Sequence, residues 1–170
     1  MSTEAFTVDT TDVTKMIGML NKLGTSPQKA INKGTSKAVL LLKRKIRAEA
    51  PVKTGTLRKN IVVKAESNRG KKGRKVREVT MKGGEEANAQ LQRPIQNPGK
   101  LGGKNKKAYY PASQEYGFLA RAPGGGVQYI PGKHFMRDPA DANDAQVKTL
   151  MIDTTMEVLE KTWQENQQTG

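Results

Sequence analysis

Residues 26–58 read SPQKAINKGTSKAVLLLKRKIRAEAPVKTGTLR, and the fold turns on this stretch. Ser26 followed by Pro27 is a helix start: a hydroxyl able to cap free N–H groups, then a proline whose fixed φ suits the first helical position. Ile31, Ala38, Leu42 and Ile46 recur on one face of a 3.6-residue period, while Lys29, Lys33, Lys37, Lys43, Lys45 and Arg47 fall mostly elsewhere. Pro51 disfavours helix at the residue before it. The spacing predicts one long amphipathic helix, Pro27–Glu49. The turn Ala50–Arg58 then opens a short helical piece.

Upstream, Ala5–Val8 reads as a short strand. Thr11 or Asp12 caps a helix carrying Val13, Met16, Leu20 and Leu23, which Gly24 ends. Downstream, Ile61–Ala65 and Val76–Met81 read as antiparallel strands. Between them Glu66–Lys75 (ESNRGKKGRK) is too polar and glycine-rich for a core and reads as a basic hairpin tip. Gly83–Lys107 is rich in glycine, proline, amides and lysine and reads as a loop or an arm ordered on assembly. Apolar content returns at Ala108–Leu119. The glycine cluster Pro123–Gly126 precedes Val127–Ile130, and a last helix runs from about Pro139 to Gln164, with Val147, Leu150, Met151, Thr154, Val158 and Trp163 near the helical period. The expected fold class is α+β: a long central helix and a C-terminal helix over one face of a small antiparallel sheet, with a long basic loop or hairpin arm.

At 170 residues the chain is expected to be one domain. Its core is expected in 5–65 and 108–164, its basic hairpin and extended loop in 66–107, and a flexible tail in 165–170. Only 35% of residues are apolar and 5% aromatic, against roughly half apolar in ordinary globular domains. Part of the chain therefore adds no core in the isolated protein. The formal net charge is +14, which points to a polyanionic partner. Between Lys53 and Lys107 sixteen Lys/Arg face four acids, so most of that charge sits mid-chain.

The chain has no cysteine, which excludes disulfides, cysteine-ligated metals and thiol catalysis. No signal peptide or membrane-spanning run is evident, and the protein is expected to be made and used in the cytoplasm.

Catalytic constellations are missing. His134 is the sole histidine and sits between a Pro-Gly turn and an apolar pair, a structural setting. Asp138, Asp141 and Asp144 recur every three residues, and acids there suit a helix N-terminus as well as a cation. Glu85-Glu86 read as solvated acids. Gly124-Gly125-Gly126 lacks the lysine and hydroxyl of a phosphate-binding loop. The expectation is no enzyme, no cofactor and no metal. The informative chemistry is the run Arg69, Lys71, Lys72, Arg74, Lys75 and Arg77, with Lys104, Lys106 and Lys107 after it. Such a run contacts phosphates without reading sequence, or an acidic neighbouring protein. Tyr109, Tyr110 and Tyr116 flank an apolar stretch and read as core or interface before base-stacking platforms.

Two blocks carry a resemblance. One is the Pro51, Thr54, Gly55, Leu57, Arg58 segment between a long helix and a strand. The other is Glu115-Tyr116-Gly117, followed after a glycine-rich loop by Phe135, Met136 and Pro139 ahead of a terminal helix. In this order they resemble the small neck proteins of tailed bacteriophages, known as head–tail joining, tail-completion or minor tail proteins, a role comparable to that of lambda's minor tail protein Z. The family more often has proline where this chain has His134, and Asp138 is inserted before Pro139. The resemblance implies a structural virion protein: a homo-oligomeric, hexameric ring between the connector or stopper and the tail terminator or tail tube. It would complete the tail and support head–tail joining and DNA passage, with DNA in the channel as a further contact and no membrane. It implies no catalytic residue. The alternative is a free-standing basic nucleic-acid-binding protein, which accounts for the charge but not for the two blocks. A nuclease or protease is disfavoured, since no ligand set or triad is present.

Overall fold

A computed structural model describes residues 27–66, 76–95 and 107–168. The expected strand at Ala5–Val8, the expected helix after it and the Ser26 cap lie outside the described residues. So do Arg69, Lys71, Lys72, Arg74, Lys75, Lys104 and Lys106.

Helix α1 is Pro27–Glu49, the bounds the sequence predicts. Its inward stripe is wider than the four residues first picked out: Ala30, Ile31, Thr35, Ala38, Val39, Leu42 and Ile46 are all buried. Each fully buried Ile, Val or Leu side chain among them contributes about 1.5–3 kcal/mol. The helix closes with the Ala50 N–H on the Ile46 carbonyl at 3.0 Å, and Pro51 follows. A short helix, α2 (Thr56–Lys59), comes next, then the strands β1 (Ile61–Ala65) and β2 (Arg77–Met81). They pair with each other. The Lys82 N–H meets the Asn60 carbonyl at one end, and Glu66 donates to Val76 at the other. That crossing of register makes the pair antiparallel. Ile61 and Val79 are their buried residues.

The stretch expected as loop from Gly83 contains structure. Helix α3 (Glu85–Leu91) is followed by β3 (Gln92–Pro94), which pairs antiparallel with β4 (Lys107–Tyr109). Ala87 and Leu91, one helical turn apart, are buried. Glu85 and Glu86 stand in the first turn, where the helix dipole favours them. Two alanines and one leucine in a polar sequence are too weak a pattern to announce a helix.

Helix α4 (Tyr110–Tyr116) leads through Gly117 into the hairpin β5 (Phe118–Arg121) and β6 (Val127–Ile130). Their register pairs Phe118 with Ile130 and Arg121 with Val127. Gly124, Gly125 and Gly126 all have positive φ, so the glycine cluster makes the hairpin's reversal. The chain ends in α5 (Arg137–Gln168). It starts before the expected Pro139 and continues beyond Gln164. Its buried side is Ala140, Val147, Met151, Thr154, Thr155 and Leu159; Trp163 is 40% exposed.

The fold class is α+β, with long helices and small two-stranded sheets. The chain divides into two compact units: Met1–Lys45 with Val63–Thr80 and Ala142–Gly170, and Ile46–Val62 with Met81–Asp141. In the first, α1 and α5 approach closely at Gly34. A methyl group there would collide with the Thr155 hydroxyl and stand 2.6 Å from the Met151 carbonyl. The second holds both family-like blocks and all of β3–β6.

Candidate functional site

The first block ties the end of α1 to the start of β1. Gly55 has φ 73° and ψ −7°, a left-handed conformation that a β-carbon disfavours. It lets the chain reverse into α2. The Thr54 and Thr56 hydroxyls share a hydrogen bond of 2.9 Å, and Leu57 is buried below them. Two guanidinium groups span the turn. Arg47 donates to the Ile61 carbonyl at 2.9 Å, and Arg58 donates to the Ala48 carbonyl at 3.2 Å. Buried Asn60 donates from its amide to the Thr56 carbonyl at 2.9 Å. Sequence reasoning singled out Leu57 and Gly55 through the family-like block and missed Asn60. Arg47 looked like one more solvated cation, because its carbonyl partner is fourteen residues away.

The second block is a helix cap supplied from a distance. Glu115 is buried at 6% exposure. Its Oε2 accepts the Met136 N–H at 2.9 Å and its Oε1 accepts the Arg137 N–H at 3.0 Å. These are free donors at the start of α5, where negative charge is favoured. The backbone repeats the connection: Lys133 donates to Gln114 at 2.7 Å and His134 to Glu115 at 3.3 Å. Gly117 has φ 86°, and a β-carbon there would lie 2.6 Å from the Tyr129 hydroxyl. That hydroxyl donates to the Tyr116 carbonyl. Gly132 has no room for a side chain against the Glu115 carbonyl. Phe135 is buried at 1% exposure, and Pro139 is buried with it while Met136 is half-buried. His134 has φ 46°. Proline, locked near −65°, cannot adopt that backbone conformation.

Of the basic residues singled out, Arg77 is half-buried on β2 and Lys107 is exposed on β4; the others lie outside the described residues. Asp138, Asp141 and Asp144 are exposed. Asp138 pairs with Arg137 at 3.2 Å and Asp144 with Lys148 at 2.8 Å. Among the described residues no cluster of three or more acids or histidines could hold a metal ion. Tyr110 lies under the Arg93 guanidinium at 5.7 Å, and burial pushes the Tyr109 hydroxyl above its usual pKa of 10.0. Tyr116 is 56% exposed. No described helix is long and apolar enough to cross a membrane.

A surface feature went unread in the sequence. The β5–β6 hairpin exposes Phe118, Leu119, Val127 and Tyr129. A groove of about 880 Å³ runs along it, lined also by Arg93, Tyr110 and Arg121. An apolar run in a sequence suggests core, and only the structure shows that this one remains uncovered in the single chain.

A family model described as "Bacteriophage HK97-gp10, putative tail-component" matches residues 14–113. The chain belongs to this family. No curated protein and no solved structure matches it. The family match includes α1, the first block, β1–β4 and the start of α4, so the first block lies within the family's own span. Glu115, Phe135 and the rest of the second block lie beyond it. As an HK97-gp10-like tail component the chain is a structural phage protein.

Proposed function

We propose that this tail component forms a homo-oligomeric ring at the head–tail interface of the virion, hexameric to suit a tail tube. There it completes the tail and supports head–tail joining and DNA passage. Its neighbours would be the connector or stopper above and the tail terminator or tube below. The observation that carries the reading is the family match over 14–113. Supporting it, the first block lies within that span and is built as a rigid turn, with Gly55, Leu57, Arg47 and Arg58 each in a defined structural role. Binding work of this kind needs rigid elements and complementary surfaces in place of a reactive group.

The basic arm, with Arg69, Lys71, Lys72, Arg74, Lys75 and Arg77 and with Lys104, Lys106 and Lys107, is proposed to face DNA in the channel or an acidic neighbour. Charge reversal at Lys71, Lys72, Arg74 and Lys75 is expected to leave the circular dichroism of the purified protein unchanged. In a phage complementation assay it is expected to leave filled heads and finished tails unjoined. Normal virion yield from that variant would overturn the role given to the arm.

A further inference from the structure

We infer that the groove beside the β5–β6 hairpin receives the outer face of α5 from a second copy of this chain. This rests on the reading of the chain as a self-assembling tail component and names the surfaces that would join.

Two uncovered surfaces of opposite charge carry it. The groove is apolar and cationic. Phe118, Leu119 and Val127 are 42%, 53% and 55% exposed. Arg121 is exposed, with no ion pair among the described residues. Arg93 is held over Tyr110 and anchored to the Gln90 carbonyl at 2.8 Å, so its charge has a fixed position at the groove. A two-stranded hairpin with its apolar side chains in water is marginal by itself and gains from being covered.

Helix α5 offers the counterpart. In a chain with 30 Lys/Arg and 16 Asp/Glu, this one helix carries seven acids and three bases. Ile152, Met156 and Trp163 are 44%, 38% and 40% exposed. Their spacings of four and seven put them on one face. Asp153 and Glu160 border that stripe, both exposed and without an ion pair among the described residues. An apolar helical stripe edged by acids fits an apolar groove edged by arginines, a recurring mode of helix recognition. Both surfaces are exposed in the single chain. Because groove and helix face are different patches, each copy that docks leaves one of each free. Such a head-to-tail contact propagates and closes into a ring where the rotation allows.

The chain has no cysteine, so single cysteines report contacts cleanly. Leu119→Cys and Met156→Cys full-length proteins, mixed and treated with a short bis-maleimide, are expected to yield a mixed dimer that neither variant forms alone. Trp163 is the sole tryptophan, and its emission is expected to shift to the blue as unmodified protein is concentrated. Arg121→Glu should weaken mixed-dimer formation at least about tenfold. Asp153→Arg with Glu160→Arg on the partner copy should restore it. All these residues are exposed, and unchanged circular dichroism checks the fold. Like-with-like dimers, or no mixed dimer either in concentrated protein or in particles that contain the chain, would overturn the inference. A mixed dimer in purified protein with the chain missing from particles would instead overturn the tail-component role and leave the contact standing.

Discussion

Gly34 has no side chain, and that is its contribution. It sits in the middle of α1, where glycine costs up to about 1 kcal/mol relative to alanine. The gain lies across the helix interface, where the Thr155 hydroxyl and Met151 carbonyl occupy the space a methyl group would need. The carbonyl is backbone, and Thr155 is fixed by its own 2.7 Å bond to Met151. Neither yields cheaply, so the collision outweighs the helix preference. Gly34→Ala is expected to destabilise the protein by about 1–3 kcal/mol, read as a lowered midpoint in thermal unfolding followed by circular dichroism. An unchanged or raised midpoint would contradict the close approach. Nothing in the sequence distinguishes Gly34 from a tolerated helical glycine, because the residues it meets are more than a hundred positions away.

The elements were legible in proportion to their local signals. Helix α1 has a proline start, a wide apolar stripe and a proline stop, and its bounds came out as expected. β1 did too, as a short β-branched run. α3 escaped because its two buried residues, Ala87 and Leu91, are outnumbered by polar ones. The cap of α5 escaped for a different reason. Its donors are satisfied by Glu115, twenty-one residues upstream, and a cap delivered through space leaves no spacing rule to find. Glu115 was singled out only through the family-like block that contains it. The carboxylate accepts two N–H groups, one on each oxygen. Glu115→Gln keeps the shape but turns an NH₂ toward one of those donors. The loss is expected to be about 1–3 kcal/mol, with amide exchange at Met136 and Arg137 accelerated beyond that of α5's centre. Equal protection at both places in the variant would show that the carboxylate does not hold the helix start.

At the scale of the molecule, charge is unevenly distributed. The middle third is basic, and the C-terminal helix is acidic. The first half of that pattern was plain from composition, and it suggested a polyanion. The second half acquires meaning only beside the exposed hairpin and its arginines, which no periodicity could reveal as uncovered. We also propose that the chain unfolds as a single domain. It passes between its two compact units four times, twice inside a continuous helix and twice inside a strand. One cooperative transition is therefore expected in the melting curves of both the parent protein and Gly34→Ala, and two separated transitions would refute it.

The assignment to a phage tail-component family rests on residues 14–113, and the proposed station at the junction extends it. Imaging the neck of intact particles by electron cryomicroscopy tests that station most directly. The account predicts a closed ring of this chain, six-fold about the tail axis, between the connector and the first tail-tube ring. Finding the chain elsewhere in the virion, or finding joined and infectious particles that lack it, would contradict the account.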